Sequence, residues 1–344
     1  MFKSARYLMA GIALAAMAGH AQAQEKFTLR FHSFMHAQSY QQVKFFEPWC
    51  ARIKEQSKGR LECQIFPSMQ LGGAPGEILQ QAKDGIIDIG YQNPGYAPGK
   101  YLKTEVFEMP FLISDPHAAA KAMYEYVTTD GADELKGLKI IAACPADYTL
   151  IMTTSKAVKT LEDMKGLKIR SSGRYAGKIN EALGALPVQM PGGQITESLV
   201  RGVIDGALLP WSGVRLLKLG EVIKHYTDFA EGQRTLSNSP QLLVMGEGTY
   251  NKLPDDLKKV IDDNSGLDAS VEFADAFDST KNEDKKLVMD AGGDVYFLPD
   301  DEYKRWVEAV SGIEGEWVKE ANSRGYDGEA LLKKAKDLIA KYSK

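Results

Sequence analysis

Arg170 ends a short run, Leu167 to Arg170, in which apolar and basic residues alternate. Its guanidinium offers a planar fork of donors matching two carboxylate oxygens, and it stays charged at any relevant pH. Leu209-Pro210-Trp211 ends a second run, Val203 to Leu209. Other residue types that do chemistry are weaker here. His32 and His36 are four apart, a spacing that holds metal on a helix, but they sit at a strand end with no carboxylate or cysteine nearby in sequence. Cys144 follows the apolar run Ile140 to Ala143 and reads as a buried, inert thiol. Gly72-Gly73-Ala74-Pro75-Gly76 lacks the lysine of a phosphate loop, and Trp211-Ser212-Gly213 lacks the leading glycine of a nucleophile elbow. Asp262-Asp263 reads as a solvated helix face.

The elements that must position Arg170 follow from pattern. Leu167 to Arg170, Leu186 to Met190 and Val203 to Leu209 read as strands; Ala176, Ile179 and Leu183 recur at helical spacing between the first two, ending at Gly184, and Ile195 to Val200 is a short helix before Gly202. Strands joined by short helices imply a parallel sheet, whose ligands sit at the carboxyl ends. Arg170 and Leu209 to Trp211 are therefore expected in one crevice.

Further strands are expected at Phe27 to Phe31, Leu61 to Phe66, Ile86 to Gln92, Lys139 to Ala143, Thr149 to Thr154, Gln241 to Met245 and Asp294 to Leu298. A helix capped by Ser39 buries Val43, Phe46, Trp49 and Ile53, with Pro48 kinking it. Residues 254–291 form a long helical pattern, with Gly266 a point of interruption; uninterrupted, it stretches roughly 50 Å and acts as a beam between two lobes. Terminal helices are expected at 300–320 and 328–342.

At 344 residues the chain is long enough for two domains. Residues 1–23 carry a basic start, an apolar stretch from Leu8 to Ala18 and Ala21-Gln22-Ala23, the pattern of a cleaved signal peptide. This predicts an exported, periplasmic protein with 40 basic and 46 acidic side chains, a balance that argues against nucleic acid. In that setting Cys50 and Cys63 can pair, and spacing alone leaves the question open.

The segments Gly59 to Pro67, Gln70-Leu71-Gly72-Gly73, Asp84 to Asp88, Glu108-Met109-Pro110-Phe111, Met164 to Arg170, Leu186-Pro187-Val188, Val203-Ile204-Asp205-Gly206 and Lys252-Leu253-Pro254 stand in an order that resembles the solute-binding proteins of tripartite ATP-independent periplasmic (TRAP) transporters, the DctP-like family. The resemblance implies an α/β, two-lobed periplasmic-binding-protein fold (class II-like) with a hinge and a long lobe-spanning helix. It divides the chain into a first lobe of 24–147 plus about 233–265, a second of 148–232 plus about 276–299, a connecting helix over about 254–291 and C-terminal helices over 300–344. It further implies that Arg170 binds the solute's carboxylate, that integral membrane subunits of a TRAP transporter are partners, and that this chain uses no nucleotide; no cofactor, protein-bound metal or catalytic residue is expected, and whether a cation joins the site stays open.

The departures from the family pattern matter as much. A second arginine found in many sialic-acid-type and dicarboxylate-type members falls on Ile151, an asparagine on Leu209, and a pocket aromatic near Gly192. One cationic anchor among apolar walls predicts a small monocarboxylate with an apolar or aromatic remainder. Asn93, Tyr96, Tyr148, Trp211, Phe34 and Met190 complete the expected binding residues, Trp211 as a rigid lid. Two other readings are an exported enzyme acting on a carboxylic acid, for which no histidine stands at a convincing strand end, and a sensory subunit of the same fold.

Overall fold

The computed structural model describes residues 25–146, 148–230 and 233–343; the expected signal peptide lies outside them. Two sheets organise the chain, one per lobe. The first has strand order β2-β1-β3-β10-β4, formed by Leu61–Phe66, Phe27–Ser33, Ile89–Gln92, Pro240–Gly246 and Leu138–Pro145. The second has order β11-β9-β5-β8-β6-β7: Asp294–Phe297, His225–Asp228, Thr149–Thr153, Gly206–Pro210, Lys168–Ser171 and Leu186–Gln189. As the strand–helix alternation requires, β6 is parallel to both β7 and β8. The chain leaves the first sheet after β4, returns for β10, and leaves again for β11.

Strand β10 is buried along its whole length, as its Leu-Leu-Val-Met run predicts, because it lies between β3 and β4 with both neighbours antiparallel. Gly184, with φ +92°, takes the left-handed backbone that ends the helix Arg174–Ala182. The amide of Gln42 donates to Ser39 Oγ, so the expected cap forms. The turn it opens is the wide π type over Gln42–Phe46, and an α-helix follows over Glu47–Gln56 with Pro48 in its first turn. The wider turn shifts the inward face by one residue: Phe45 and Phe46 are buried, and Val43, expected inside, is half exposed. Cys50 and Cys63 are joined by a disulfide, with Cα atoms 5.7 Å apart, tying this helix to β2.

Residues 254–291 are not one beam. They form three helices, Asp255–Asp263, Leu267–Asp278 and Lys281–Asp290. Gly266 sits at φ +109°, a conformation closed to an L side chain, and breaks the first from the second. Ser279 and Thr280 separate the second from the third. Phe273 and Phe277 pack into the core of the first lobe, and Val288 into that of the second. The C-terminal stretch is likewise three helices, Asp300–Ala309, Ile313–Ser323 and Gly328–Tyr342. Among the described residues no helix is long and apolar enough to cross a membrane.

Candidate ligand-binding site

A cavity of about 140 Å³ lies between the two sheets, and Arg170 is in its wall. From the first lobe it is lined by Phe34, Tyr91, Asn93 and Tyr96; from the second by Leu208, Leu209 and Pro210 at the carboxyl end of β8. Phe34 stacks on Tyr91 at 4.8 Å between ring centroids and meets the edge of Tyr96 at 5.2 Å, making an aromatic wall. A larger cavity of about 560 Å³ runs beside Tyr148, Asn238 and Lys281, and Arg170 takes no part in it.

Arg170 is 3% exposed. Its Nε donates to the carbonyl of Met190 at 3.0 Å and its Nη1 reaches the carbonyl of Leu208 at 3.5 Å. Among the described residues it forms no ion pair, in contrast to Arg174, held by Glu105 and Glu320, and Arg215, held by Asp284. Burial lowers its pKa from the ordinary guanidinium value, and the Tyr96 hydroxyl works against that shift. A guanidinium stays charged under such a shift. A buried ion without a counter-ion costs several kcal/mol, so this arrangement favours an anion entering the cavity.

Asn93 is oriented by protein contacts: Nδ2 donates to Ser239 Oγ at 2.6 Å and Oδ1 accepts from the Gly95 amide at 2.8 Å. Tyr96 Oη accepts from the Gly192 amide at 3.3 Å, which leaves its own hydroxyl hydrogen for another acceptor. Tyr91 donates to Gln241, whose amide in turn donates to Ser239, so this polar floor is closed upon itself.

Of the nine expected binding residues, Arg170, Asn93, Tyr96, Phe34 and Leu209 line the cavity. Four do not. Trp211 is no lid: it is fully buried in the second lobe, stacked on Tyr226 at 5.3 Å, with Nε1 donating to Asp228 at 3.1 Å. Ile151 is a core residue opposite Leu208; β5 runs antiparallel to β8, so its first residue, Thr149, is the one beside Pro210 and in the cavity wall. Met190 contributes its backbone carbonyl to Arg170 rather than a wall. Tyr148 lines the larger cavity, 4.5 Å from Lys281 Nζ.

Gln41, Tyr91, Thr149, Ser239, Gln241 and Phe277 also line the site without having been expected. Tyr91 stands near the carboxyl end of β3, and Gln241 is a polar residue in an otherwise apolar strand; both signals are in the sequence. Phe277 has none, since its spacing is that of an ordinary core helix.

The family model for bacterial extracellular solute-binding proteins, family 7 (DctP), matches residues 32–320. A TRAP solute-binding protein of a marine metagenome, described as specific for aromatic acid ligands and crystallised with 3-hydroxybenzoate, is 38% identical with a TM-score of 0.90, covering 93% of this chain and 100% of its own. One from Rhodoferax ferrireducens T118, with copurified benzoate, is 36% identical with a TM-score of 0.90, covering 92% and 99%. Among curated proteins, the ectoine/5-hydroxyectoine-binding periplasmic protein UehA of Ruegeria pomeroyi is 26% identical over 342 residues, covering 96% of this chain and 95% of its own. The chain belongs to family 7 of the bacterial extracellular solute-binding proteins, the solute receptors of TRAP transporters.

Proposed function

We propose that the protein captures a small aromatic monocarboxylate between its lobes, with Arg170 holding the carboxylate. The observation that carries this reading is the buried guanidinium without an ion-pair partner, in the wall of a cavity that Phe34, Tyr91, Tyr96 and Leu209 also line. A cavity of about 150 Å³ is large enough for benzene, so the volume here, about 140 Å³, matches one ring. The two relatives above 35% identity that bind benzoate and 3-hydroxybenzoate support the same class. A second carboxylate would find no second arginine in this wall.

Closure around the solute follows from its touching both sheets at once, because only the shut form supplies both sets of contacts. In this reading the loaded protein is extracytoplasmic and passes its cargo to integral membrane subunits without chemical change. Titration calorimetry with benzoate, 3-hydroxybenzoate, succinate and glucuronate tests it. The aromatic acids are expected to bind, stabilising the folded protein by about 2.7 kcal/mol at a hundredfold excess over Kd and so raising Tm; binding of succinate or glucuronate with no response to the aromatic acids overturns it.

A further inference from the structure

Beyond the aromatic wall and Arg170, the cavity is lined by two first-lobe side chains that each keep one buried polar atom without a hydrogen-bond partner. Gln41 is 2% exposed and lines the cavity, and its Oε1 is buried with no hydrogen-bond partner. His36 lines the same cavity; its Nε2 lies 3.3 Å from the carbonyl of Leu216, while its Nδ1 is buried and without a partner. A carbonyl only accepts, so Nε2 carries the hydrogen and Nδ1 of the neutral ring is an acceptor. Several other polar groups of the wall are engaged within the protein: Asn93 with Ser239 and Gly95, Thr149 with the carbonyl of Ser237, Gln241 with Tyr91 and Ser239.

Buried acceptors left unsatisfied are costly, and a bare benzoate ring offers them nothing. A carboxylate cannot satisfy them either, being itself an acceptor. A hydroxyl can: it donates to the imidazole Nδ1 or the amide oxygen while accepting from the Gln41 amide nitrogen. We infer that Gln41 and His36 form a subsite for a hydroxyl substituent, so that the preferred solute is a hydroxylated aromatic acid rather than the unsubstituted one. This rests on the proposed function, since it takes Arg170 to hold the carboxylate of the same molecule. A site built around a substrate hydroxyl discriminates strongly against the analogue lacking it, because the site's own groups are then stranded.

The test is calorimetry on the full chain with benzoate, its 2-, 3- and 4-hydroxy derivatives, 3- and 4-methylbenzoate and isophthalate. At least one hydroxybenzoate is expected to bind tenfold or more tightly than benzoate and than the methyl compounds. In Gln41→Leu and His36→Phe that advantage should fall to within about threefold; circular dichroism and thermal melts check that each variant is folded. If benzoate or a methylbenzoate binds as tightly as every hydroxy isomer, the subsite is overturned while the aromatic-acid reading stands. An isophthalate preference overturns it in favour of a charged partner for His36. If none of the aromatic compounds binds, both readings fall together.

Discussion

The carboxyl of Glu108, in the first lobe, lies against the backbone of Gly173 in the second, so closely that a Cβ at residue 173 would stand 2.7 Å from Oε2. The same carboxyl faces the first-turn amides of Tyr175 and Ala176, in the helix that follows the strand bearing Arg170. Beside it, Arg174 bridges Glu105 of the first lobe and Glu320 of the C-terminal helices. The lobes thus meet at a glycine, where a Cβ would crowd the buried Glu108 carboxyl. Gly173→Ala is expected to cost about 1–3 kcal/mol, as overpacking does, and to weaken solute binding about tenfold by holding the lobes apart. Gly177→Ala, one turn on, meets only ordinary contacts at 3.5 Å and beyond and should add about 0.5–1 kcal/mol. Thermal melts and calorimetry of the two variants check the contrast; equal behaviour sinks it.

Arg170→Met removes the charge that the empty cavity leaves without a counter-ion while keeping a long apolar side chain. Binding of aromatic acids should vanish, and the unliganded protein should melt at a higher temperature than wild type, since an uncompensated buried ion has gone. A lower Tm with affinity retained would place the guanidinium in a purely structural role.

Glu134 accepts from the backbone amides of Lys103 and Thr104, yet burial, aided by Asp133, pushes its pKa up to about 7. Its native form therefore holds a proton that the unfolded chain releases near the ordinary carboxylate value. The stability this contributes is fully present below about pH 4.5 and is lost as pH rises through about 7. Burial raises Glu108 as well, with the same sign, whereas burial lowers His32, whose contribution runs the other way. Comparing Glu134→Gln with wild type isolates one term: the variant's Tm should fall less steeply between pH 5 and 7 and lie above wild type at pH 8. Parallel curves would refute it.

The Cys50–Cys63 bridge closes a loop of 13 residues. Its removal as Cys50→Ala/Cys63→Ala should cost about 3 kcal/mol, read by urea denaturation, without changing solute affinity, because neither cysteine lines the cavity. A shift in affinity would show that the helix carrying Cys50 transmits strain to the site.

Much of this is legible in the amino-acid sequence. The parallel arrangement of β6, β7 and β8 followed from strand–helix alternation, and Arg170 reached the crevice because strand carboxyl ends do. Trp211 misled for a physical reason: one residue past a strand end, a side chain can turn toward either the crevice or the lobe's own core, and pattern does not record which. Ile151 misled because strand direction decides which end faces the ligand, and β5 is antiparallel. Gln41 and His36 carry no shared pattern in the sequence; both line the cavity, and His36 meets the carbonyl of the distant Leu216.

Strand β10 has a consequence for how the molecule can be made. Among the described residues it is the strand that joins β3 to β4, and it lies more than ninety residues after β4 in the sequence. Until residue 246 has been synthesised, both inner edges of the first half stay open, exposing unpaired amides and carbonyls that invite mispairing. Nascent chains stopped short of that point are therefore expected to depend on holdase protection, and neither half can be excised as one continuous fragment.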